Sequence, residues 1–389
     1  MDAITKIKNL IISGYKKSRH DKKSSIFDFD TAKSIANQNN LQIEIQLIDA
    51  YIQFCIENNF ESAKSLLDKY QKKMDVNLLG YYYFLFGRIY HKKGDYDRAI
   101  EFHQKALDTP GYDSPGNALN NIGVALSEKC DYDRAIEFHQ KALDTPGYDS
   151  PGDALNNIGI AFINKGDYDR AIEFHQKALD TPGYDLPGDA LNNIGVAFIN
   201  KGDYDRAIEF YQKALDTPGD YSPGDALNNI GVAFFNKGDY NKAIEFYQKA
   251  LDTPGFDAPG DALNNIGAAF FNKGDYNKAI EFYQKALETP GFDKPGKVLN
   301  NMGISYRESK KYKESIKCHK EALKSKDVVK NIQNEKYSKS LLKNSENLIE
   351  NYKRMEELEK SGPIEESKKL KSELKEKDVL SKIFESFGD

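Results

Sequence analysis

The sequence of 389 residues has no tryptophan and only three cysteines. Cys55, Cys130 and Cys318 are too far apart for the disulfide framework of a small secreted domain or for paired zinc ligands. No apolar run approaches eighteen residues, so we expect no membrane-spanning helix. Two lysines interrupt the first apolar stretch, residues 4–12, which therefore does not resemble a secretory signal. We expect a cytoplasmic protein that does not insert into membranes.

Proline is almost confined to one recurring loop. Twelve of the 13 prolines fall in paired slots, and each of these is followed by glycine. The segments between the loops contain no proline, so no predicted helix interior is broken. The pairs lie at positions 110 and 115, 146 and 151, 182 and 187, 218 and 223, 254 and 259, and 290 and 295.

The loops belong to a repeat of 36 residues. The tripeptide Gly-Asp-Tyr keeps this period, beginning at Gly94, Gly166, Gly202, Gly238 and Gly274. Self-similarity of this length is typical of stacked supersecondary units. We predict a helical N-terminal cap over 1–43, eight repeats over 44–331, of which the outer two are degenerate, and charged helices over 332–389.

Each repeat contains two amphipathic stripes. Leu155, Ile158 and Phe162 mark a first helix, called helix A, and a second stripe that begins at Tyr168 marks helix B. Glycine inside a helix costs about 1 kcal/mol relative to alanine, yet helix A keeps one in its middle. We infer that helices A and B cross closely at these glycines, which are Gly87, Gly123, Gly159, Gly195, Gly231, Gly267 and Gly303.

Helix B carries histidine or tyrosine at one repeated position. Equivalent atoms one repeat apart lie about 10 Å from each other, whereas ligands of one zinc ion lie about 2 Å from it. We therefore predict core packing rather than a metal site for His103, His139, His175 and His319. The same position holds Tyr211, Tyr247 and Tyr283 in the other repeats.

The pattern resembles the tetratricopeptide repeat, a helix–turn–helix unit of 34 residues, through Gly159, Phe162, Gly166, Tyr168 and Ala171 and their equivalents. The resemblance implies an all-α fold, a right-handed superhelical solenoid of antiparallel helix pairs. Sel1-like repeats fit less well because they have a longer insertion between their helices. Pentatricopeptide arrays, which bind RNA, fit less well because residues 94–309 contain 34 acidic and 20 basic side chains, a net charge of −14. We expect no nucleic-acid partner.

The outward face of helix A differs from a simple solvated face. It carries a pair of adjacent asparagines in each repeat, although asparagine favours helices about half a kcal/mol less than alanine. The resemblance implies that this face lines a concave groove in which the second asparagine of each pair binds the main chain of an extended peptide. The partner-binding candidates are Asn120, Asn121, Asn156, Asn157, Ile160, Ile163, Asn164, Asn192, Asn193, Ile199, Asn200, Asn228, Asn229, Phe235, Asn236, Asn264, Asn265, Phe271 and Asn272.

A structural alternative remains open, in which these asparagines bond to adjacent helices and the apolar residues fill contacts between repeats. The positions at which related arrays place lysine and arginine to hold a terminal carboxylate have Asn or Asp from 117 to 272. With Asp153, Asp189, Asp225 and Asp261 along the rim, a neutral or basic segment is the better-matched ligand.

No converging catalytic set can be argued from side chains that are copied in six repeats, so we predict no enzyme and no cofactor. The expected function is an adaptor that binds an extended segment of another protein. A regulatory sensor that controls a bound effector and a self-assembling scaffold are the alternatives.

The two ends carry further amphipathic helices. Residues 2–18 place Ile4, Ile7, Ile11 and Tyr15 on one side and are expected to cap the first repeat. A last helix presents four apolar residues at helical spacing with no repeat beyond it. We expect it to dock in cis, on a second partner or on a second copy, through Leu380, Ile383, Phe384 and Phe387.

Overall fold

The computed structural model describes residues 2–18, 21–68, 74–217, 222–322 and 324–325, and the single positions 350 and 357. These ranges contain eighteen α-helices and no β-strand. The all-α class and the packing in adjacent helix pairs are confirmed. The chain divides into two compact units, Met1–Asn193 and Ile194–Asp389. No helix in the described ranges has an apolar stretch of the length needed to cross a membrane.

The first unit contains five packed helix pairs, and each pair also packs on the next pair along the chain. Its helices are α1 (Ala3–Lys17), α2 (Lys22–Gln38), α3 (Gln42–Cys55), α4 (Phe60–Asp68), α5 (Val76–Lys92), α6 (Tyr96–Leu107), α7 (Pro115–Glu128), α8 (Tyr132–Leu143), α9 (Pro151–Asn164) and α10 (Tyr168–Leu179). Helix α11 (Pro187–Asn200) begins in this unit.

The second unit repeats the same pairing. Its helices are α12 (Tyr204–Asp216), α13 (Pro223–Asn236), α14 (Tyr240–Leu251), α15 (Pro259–Asn272), α16 (Tyr276–Glu288), α17 (Pro295–Glu308) and α18 (Tyr312–Ala322). Helix A of one repeat also packs on helix A of the next, as α13 does on α15 and α15 on α17.

Local sequence signals determine where the helices start. Six A helices begin with proline, whose missing N–H would have no partner in the first turn in any case. Most B helices follow an aspartate cap. Asp167, for example, accepts a hydrogen bond from the backbone N–H of Arg170 at 3.2 Å. The residue before this cap adopts a left-handed backbone, with φ of +76° at Gly166, and glycine tolerates this conformation without strain.

The predicted close crossing of helices A and B is confirmed at the mid-helix glycines. A Cβ atom at Gly159 would lie 2.6 Å from Cε1 of His175, and a Cβ at Gly231 would lie 2.6 Å from the ring of Tyr247. The rings occupy the space that any larger residue of helix A would need, which explains why glycine recurs there. The helix-B ring is therefore a core residue in both its histidine and its tyrosine form.

A second set of glycines lies near the start of helix A. There the aromatic residue of the following Pro-Gly loop packs directly on the glycine. A Cβ at Gly80 would lie 2.7 Å from the Tyr112 side chain, and one at Gly224 would lie 2.6 Å from that of Phe256. Each loop thus folds back over the start of the preceding helix A.

Candidate functional site

The first asparagine of each pair is part of the packing between helices. Asn156 is only 8% exposed, and its Oδ1 accepts a hydrogen bond from Nδ1 of His175 at 2.8 Å. The same oxygen accepts a second hydrogen bond, at 3.3 Å, from Nδ2 of Asn193 in the next helix A. Asn120 has the same two partners, His139 at 2.7 Å and Asn157 at 3.3 Å. Each of these amides therefore links helix A both to helix B of its own repeat and to helix A of the next repeat.

This network fixes the tautomer of the histidines, and burial keeps their rings neutral. An amide oxygen only accepts, so Nδ1 of His175 carries the proton that it donates. Burial lowers the pKa of His139, His175 and His319 to about 4, and Nε2 of each is buried without a hydrogen-bond partner in the described ranges. These imidazoles are neutral at neutral pH.

Two repeats show what happens without one member of the network. Phe84 replaces the asparagine beside His103, and neither ring nitrogen of His103 has a hydrogen-bond partner among the described residues. Burial lowers the pKa of His103 further, to about 3. In the repeat that contains Tyr247, Oδ1 of Asn228 is buried without a hydrogen bond.

The second asparagine of each pair is half-buried, and in two repeats it keeps part of its hydrogen-bonding capacity. Asn157 and Asn193 each donate one hydrogen bond to the preceding repeat, and Oδ1 of neither accepts one from the part of the chain that the structure describes. In Asn121, by contrast, both amide atoms are hydrogen-bonded. Its Oδ1 accepts from Arg88 at 2.8 Å, and its Nδ2 donates to the carbonyl oxygen of Asn117 at 2.7 Å.

The remaining candidates differ in exposure and in whether they contact helix B. Ile160, Ile163 and Ile199 are half-buried on helix A. Phe235 and Phe271 pack on Tyr240 and Tyr276 at the start of helix B, with ring centroids 5.4 Å apart in both pairs. Asn164, Asn236 and Asn272 are exposed near the end of helix A, whereas Asn192, Asn200, Asn229 and Asn265 are half-buried and Asn264 is buried.

In the first compact unit, the chain itself occupies the helix-A face. The ring of Tyr15 in α1 contacts Phe84 edge-on, with centroids 5.5 Å apart. Ile7 and Ile11 of α1 belong to the same buried cluster as Leu85. Phe84 and Leu85 occupy the positions of the asparagine pair in later repeats, so α1 lies on the predicted ligand-binding positions.

Two lysines fix α1 to the loops of successive repeats. Nζ of Lys8 lies 2.5 Å from Oδ2 of Asp113, and Lys16 pairs with Asp149. Asp113 also accepts a hydrogen bond from the hydroxyl of Tyr81. Burial alone would raise the pKa of Asp113, but the hydrogen bonds from Lys8 and Tyr81 hold it below its usual value.

Sequence reasoning predicted a cap here but missed its position on the candidate face. The available signal was the change from apolar residues at positions 84 and 85 to asparagine in the following repeats. In the described ranges, no three His, Cys, Asp or Glu side chains are placed to hold a metal ion. The predicted docking residues Leu380, Ile383, Phe384 and Phe387 lie outside the described residues.

Comparison with known proteins gives matches to family models described as tetratricopeptide repeat. They cover residues 82–146, 116–182, 150–219, 186–253 and 260–289. No curated protein sequence matches the chain significantly.

Several solved structures are similar. A tetratricopeptide repeat protein from Parabacteroides merdae is 16% identical with a TM-score of 0.51, and the match covers 68% of this chain and 98% of that one. PilF of Pseudomonas aeruginosa is 18% identical with a TM-score of 0.45, covering 59% and 96%. YrrB, described as having an unusual peptide-binding site, is 24% identical with a TM-score of 0.35, covering 49% and 93%.

Proposed function

The chain belongs to the tetratricopeptide repeat family, and we therefore propose that it is a non-enzymatic adaptor whose helix-A face binds an extended segment of a partner protein. Repeats of this family imply a role in protein–protein interaction, as an adaptor or scaffold.

The observation that carries the proposal is the position of α1. A segment of protein already lies on the helix-A face of α5, held by the ring contact of Tyr15 and by the lysine pairs of Lys8 and Lys16. The same positions in later repeats carry asparagine instead of apolar residues. This change suits a ligand that offers main-chain hydrogen-bonding groups.

The second asparagines provide the matching chemistry. An extended segment presents N–H and C=O groups that lose hydrogen bonds to water on binding. The amides of Asn157 and Asn193 can replace these bonds, since each has an Oδ1 that accepts nothing from the described chain. Ile160 and Ile163, half-buried beside them, would contact apolar side chains of the segment.

The test uses the full chain as bait for a phage-displayed library of random twelve-residue peptides. Fluorescence anisotropy then compares the selected peptides on wild type and on Asn157→Ala/Asn193→Ala. Each lost amide bond is worth about 1 kcal/mol, so we expect affinity to fall by roughly thirtyfold.

The matched control is Asn241→Ala/Asn277→Ala, which removes two exposed asparagines from helix B. These amides accept bonds from Lys273 and Lys311 and lie outside the candidate face. Equal binding of the selected peptides by the helix-A variant and by the control would refute the proposed site.

Two further parts of the proposal are supported by the sequence. The apolar stripe at Leu380, Ile383, Phe384 and Phe387 supports a docking helix for a second partner or a second copy. A cytoplasmic location agrees with Cys55, Cys130 and Cys318 being free thiols.

A further inference from the structure

The start of α2 carries an exposed apolar pair. Phe27 is 70% exposed and its neighbour Ile26 is 39% exposed, and Val76 is the one other large apolar side chain that is exposed in the described ranges. The sequence contains 22 phenylalanines, of which Phe27 alone is exposed in the part of the chain that the structure describes. Single exposed apolar residues are common on protein surfaces, but two adjacent ones depart from the rule that the rest of this chain follows.

Packing between α1 and α2 does not account for the pair. Phe29 and Ala32 of α2 are buried, and Ser25 donates a hydrogen bond to the carbonyl oxygen of Gly14 in α1 at 2.7 Å. These residues mark the side of α2 that packs in the protein. Phe27 lies about 160° around the helix from Phe29, so its ring projects away from that side.

Two lysines lie one turn before the pair. Lys22 and Lys23 are exposed, and neither forms an ion pair with a residue in the described ranges. Each precedes one of the apolar residues by four positions, and residues four apart are neighbours on a helix surface. The start of α2 therefore places two ammonium groups beside Ile26 and Phe27.

The charge around the pair is mainly basic. Residues 16–23, which span the end of α1 and the start of α2, contain five basic side chains and one acidic one, Asp21. Asp28 is buried in an ion pair with Lys17 at 2.7 Å, whereas Asp30 is exposed one turn after Phe27. Residues 1–93 carry 15 basic and 10 acidic side chains, a net charge of +5, which is opposite in sign to the −14 of residues 94–309.

We propose that the start of α2 binds the surface of an anionic membrane. Phe27 and Ile26 enter the boundary between headgroups and acyl chains, and Lys22 and Lys23 lie against the negatively charged headgroups. The inference is independent of the proposed function, because it uses the outward side of α2 and not the helix-A face.

The size of this surface favours a membrane over a second protein. A stable protein interface buries about 800 Å² on each partner and uses about 20–30 residues a side. Here two large apolar side chains project from a helix, and a bilayer needs no matching pocket to receive them. Each neighbouring lysine adds attraction to anionic lipid, so the two kinds of residue act together.

The test measures sedimentation of the full chain with sucrose-loaded vesicles. One set contains phosphatidylcholine alone, and the other contains about 30% phosphatidylserine, which supplies the negative surface charge. We expect binding to the anionic vesicles to be at least about tenfold stronger than to the neutral ones. Phe27→Ser should weaken that binding about tenfold, and Lys22→Ser/Lys23→Ser should weaken it about thirtyfold.

Matched controls make the same changes elsewhere in the first compact unit. Val76→Ser removes the third exposed apolar side chain, and Lys6→Ser/Lys92→Ser removes two exposed lysines that form no ion pair in the described ranges. Both controls should bind within about twofold of wild type. Because every changed residue is exposed, the thermal midpoints measured by circular dichroism should stay close to that of wild type.

Three results would overturn the proposal. The first is equal sedimentation of the wild-type chain with neutral and anionic vesicles, and the second is a loss of binding in the controls as large as in the α2 variants. The third comes from sedimentation equilibrium without vesicles, where a mass of two chains that Phe27→Ser reduces to one would show that a second copy covers the pair. Peptide binding through Asn157 and Asn193 is measured without vesicles, so it stands or falls separately.

Discussion

Gly159 lies directly beneath the imidazole of His175, so that a Cβ at this glycine would come within 2.6 Å of the ring. The contact joins the middle of α9 to the middle of α10. The helix A–helix B distance in this repeat is therefore determined by the absence of one methyl group.

We expect Gly159→Ala to destabilise the chain even though alanine is the better helix former. Alanine gains about 1 kcal/mol in helix propensity, but overpacking a tight contact costs about 1–3 kcal/mol and displaces a buried ring that is hydrogen-bonded to Asn156. Urea unfolding followed by circular dichroism measures the change. In a His175→Ala background the same substitution should become neutral or stabilising, and an unchanged cost there would show that the ring is not the cause.

The two asparagines of one pair should differ in their effect on stability. Asn156→Ala removes the acceptor for His175 and Asn193 and leaves a buried Nδ1–H unpaired, which costs about 1–3 kcal/mol. Asn157→Ala loses only one long hydrogen bond and gains about half a kcal/mol of helix propensity, so we expect almost no change. Thermal unfolding of the two variants gives the comparison. Equal destabilisation would mean that the second asparagine is also a structural residue.

The sequence predicts the fold largely because its signals are local. The spacing of Gly94, Gly166 and their equivalents gives the period, the proline pairs give the helix starts, and the mid-helix glycines predict the close crossing that the structure confirms. Each signal depends on a few neighbouring residues, and repetition makes it visible.

The candidate site is less predictable because it depends on contacts across many residues. Both residues of a pair are asparagine, so the sequence alone does not separate their roles. In the structure Asn156 is hydrogen-bonded to a histidine nineteen residues away, whereas Asn157 is bonded to the preceding repeat instead. The position of α1 depends on Lys8 meeting a loop aspartate more than a hundred residues later. No periodicity in the sequence records such a pairing.

Cys130 occupies a turn position that five other repeats give to glycine. Its φ is +61°, in the left-handed region, where a side chain costs about 1 kcal/mol. We expect Cys130→Gly to stabilise the chain by up to about 1 kcal/mol, measured as a higher midpoint in urea. Cys130→Ala is the matched control because it removes the thiol and keeps the Cβ. A gain of similar size in that control would assign the effect to the thiol rather than to the backbone.

The buried histidines should make the chain sensitive to mild acid. Their pKa values in the folded chain are about 3 to 4, below the usual 6.5. Between these values the unfolded chain binds protons at the histidines and the folded chain does not. Their contribution to stability is therefore complete above pH 6.5 and is lost as the pH falls toward 4. Each histidine adds up to about 1.4 kcal/mol per pH unit to this slope.

Tyrosine at the same position removes the titrating group, and Tyr211, Tyr247 and Tyr283 show that the packing accepts it. We expect His139→Tyr/His175→Tyr to lower the slope of unfolding free energy between pH 6 and 5 by about 2 kcal/mol per pH unit. Urea unfolding at half-unit pH steps measures both chains. At pH 8 the slopes should coincide, because the imidazoles are neutral in the folded and unfolded states alike. If the slopes at pH 5 to 6 also coincide, the histidines take up protons without opening the helix pairs, and the acid sensitivity must come from the carboxylates.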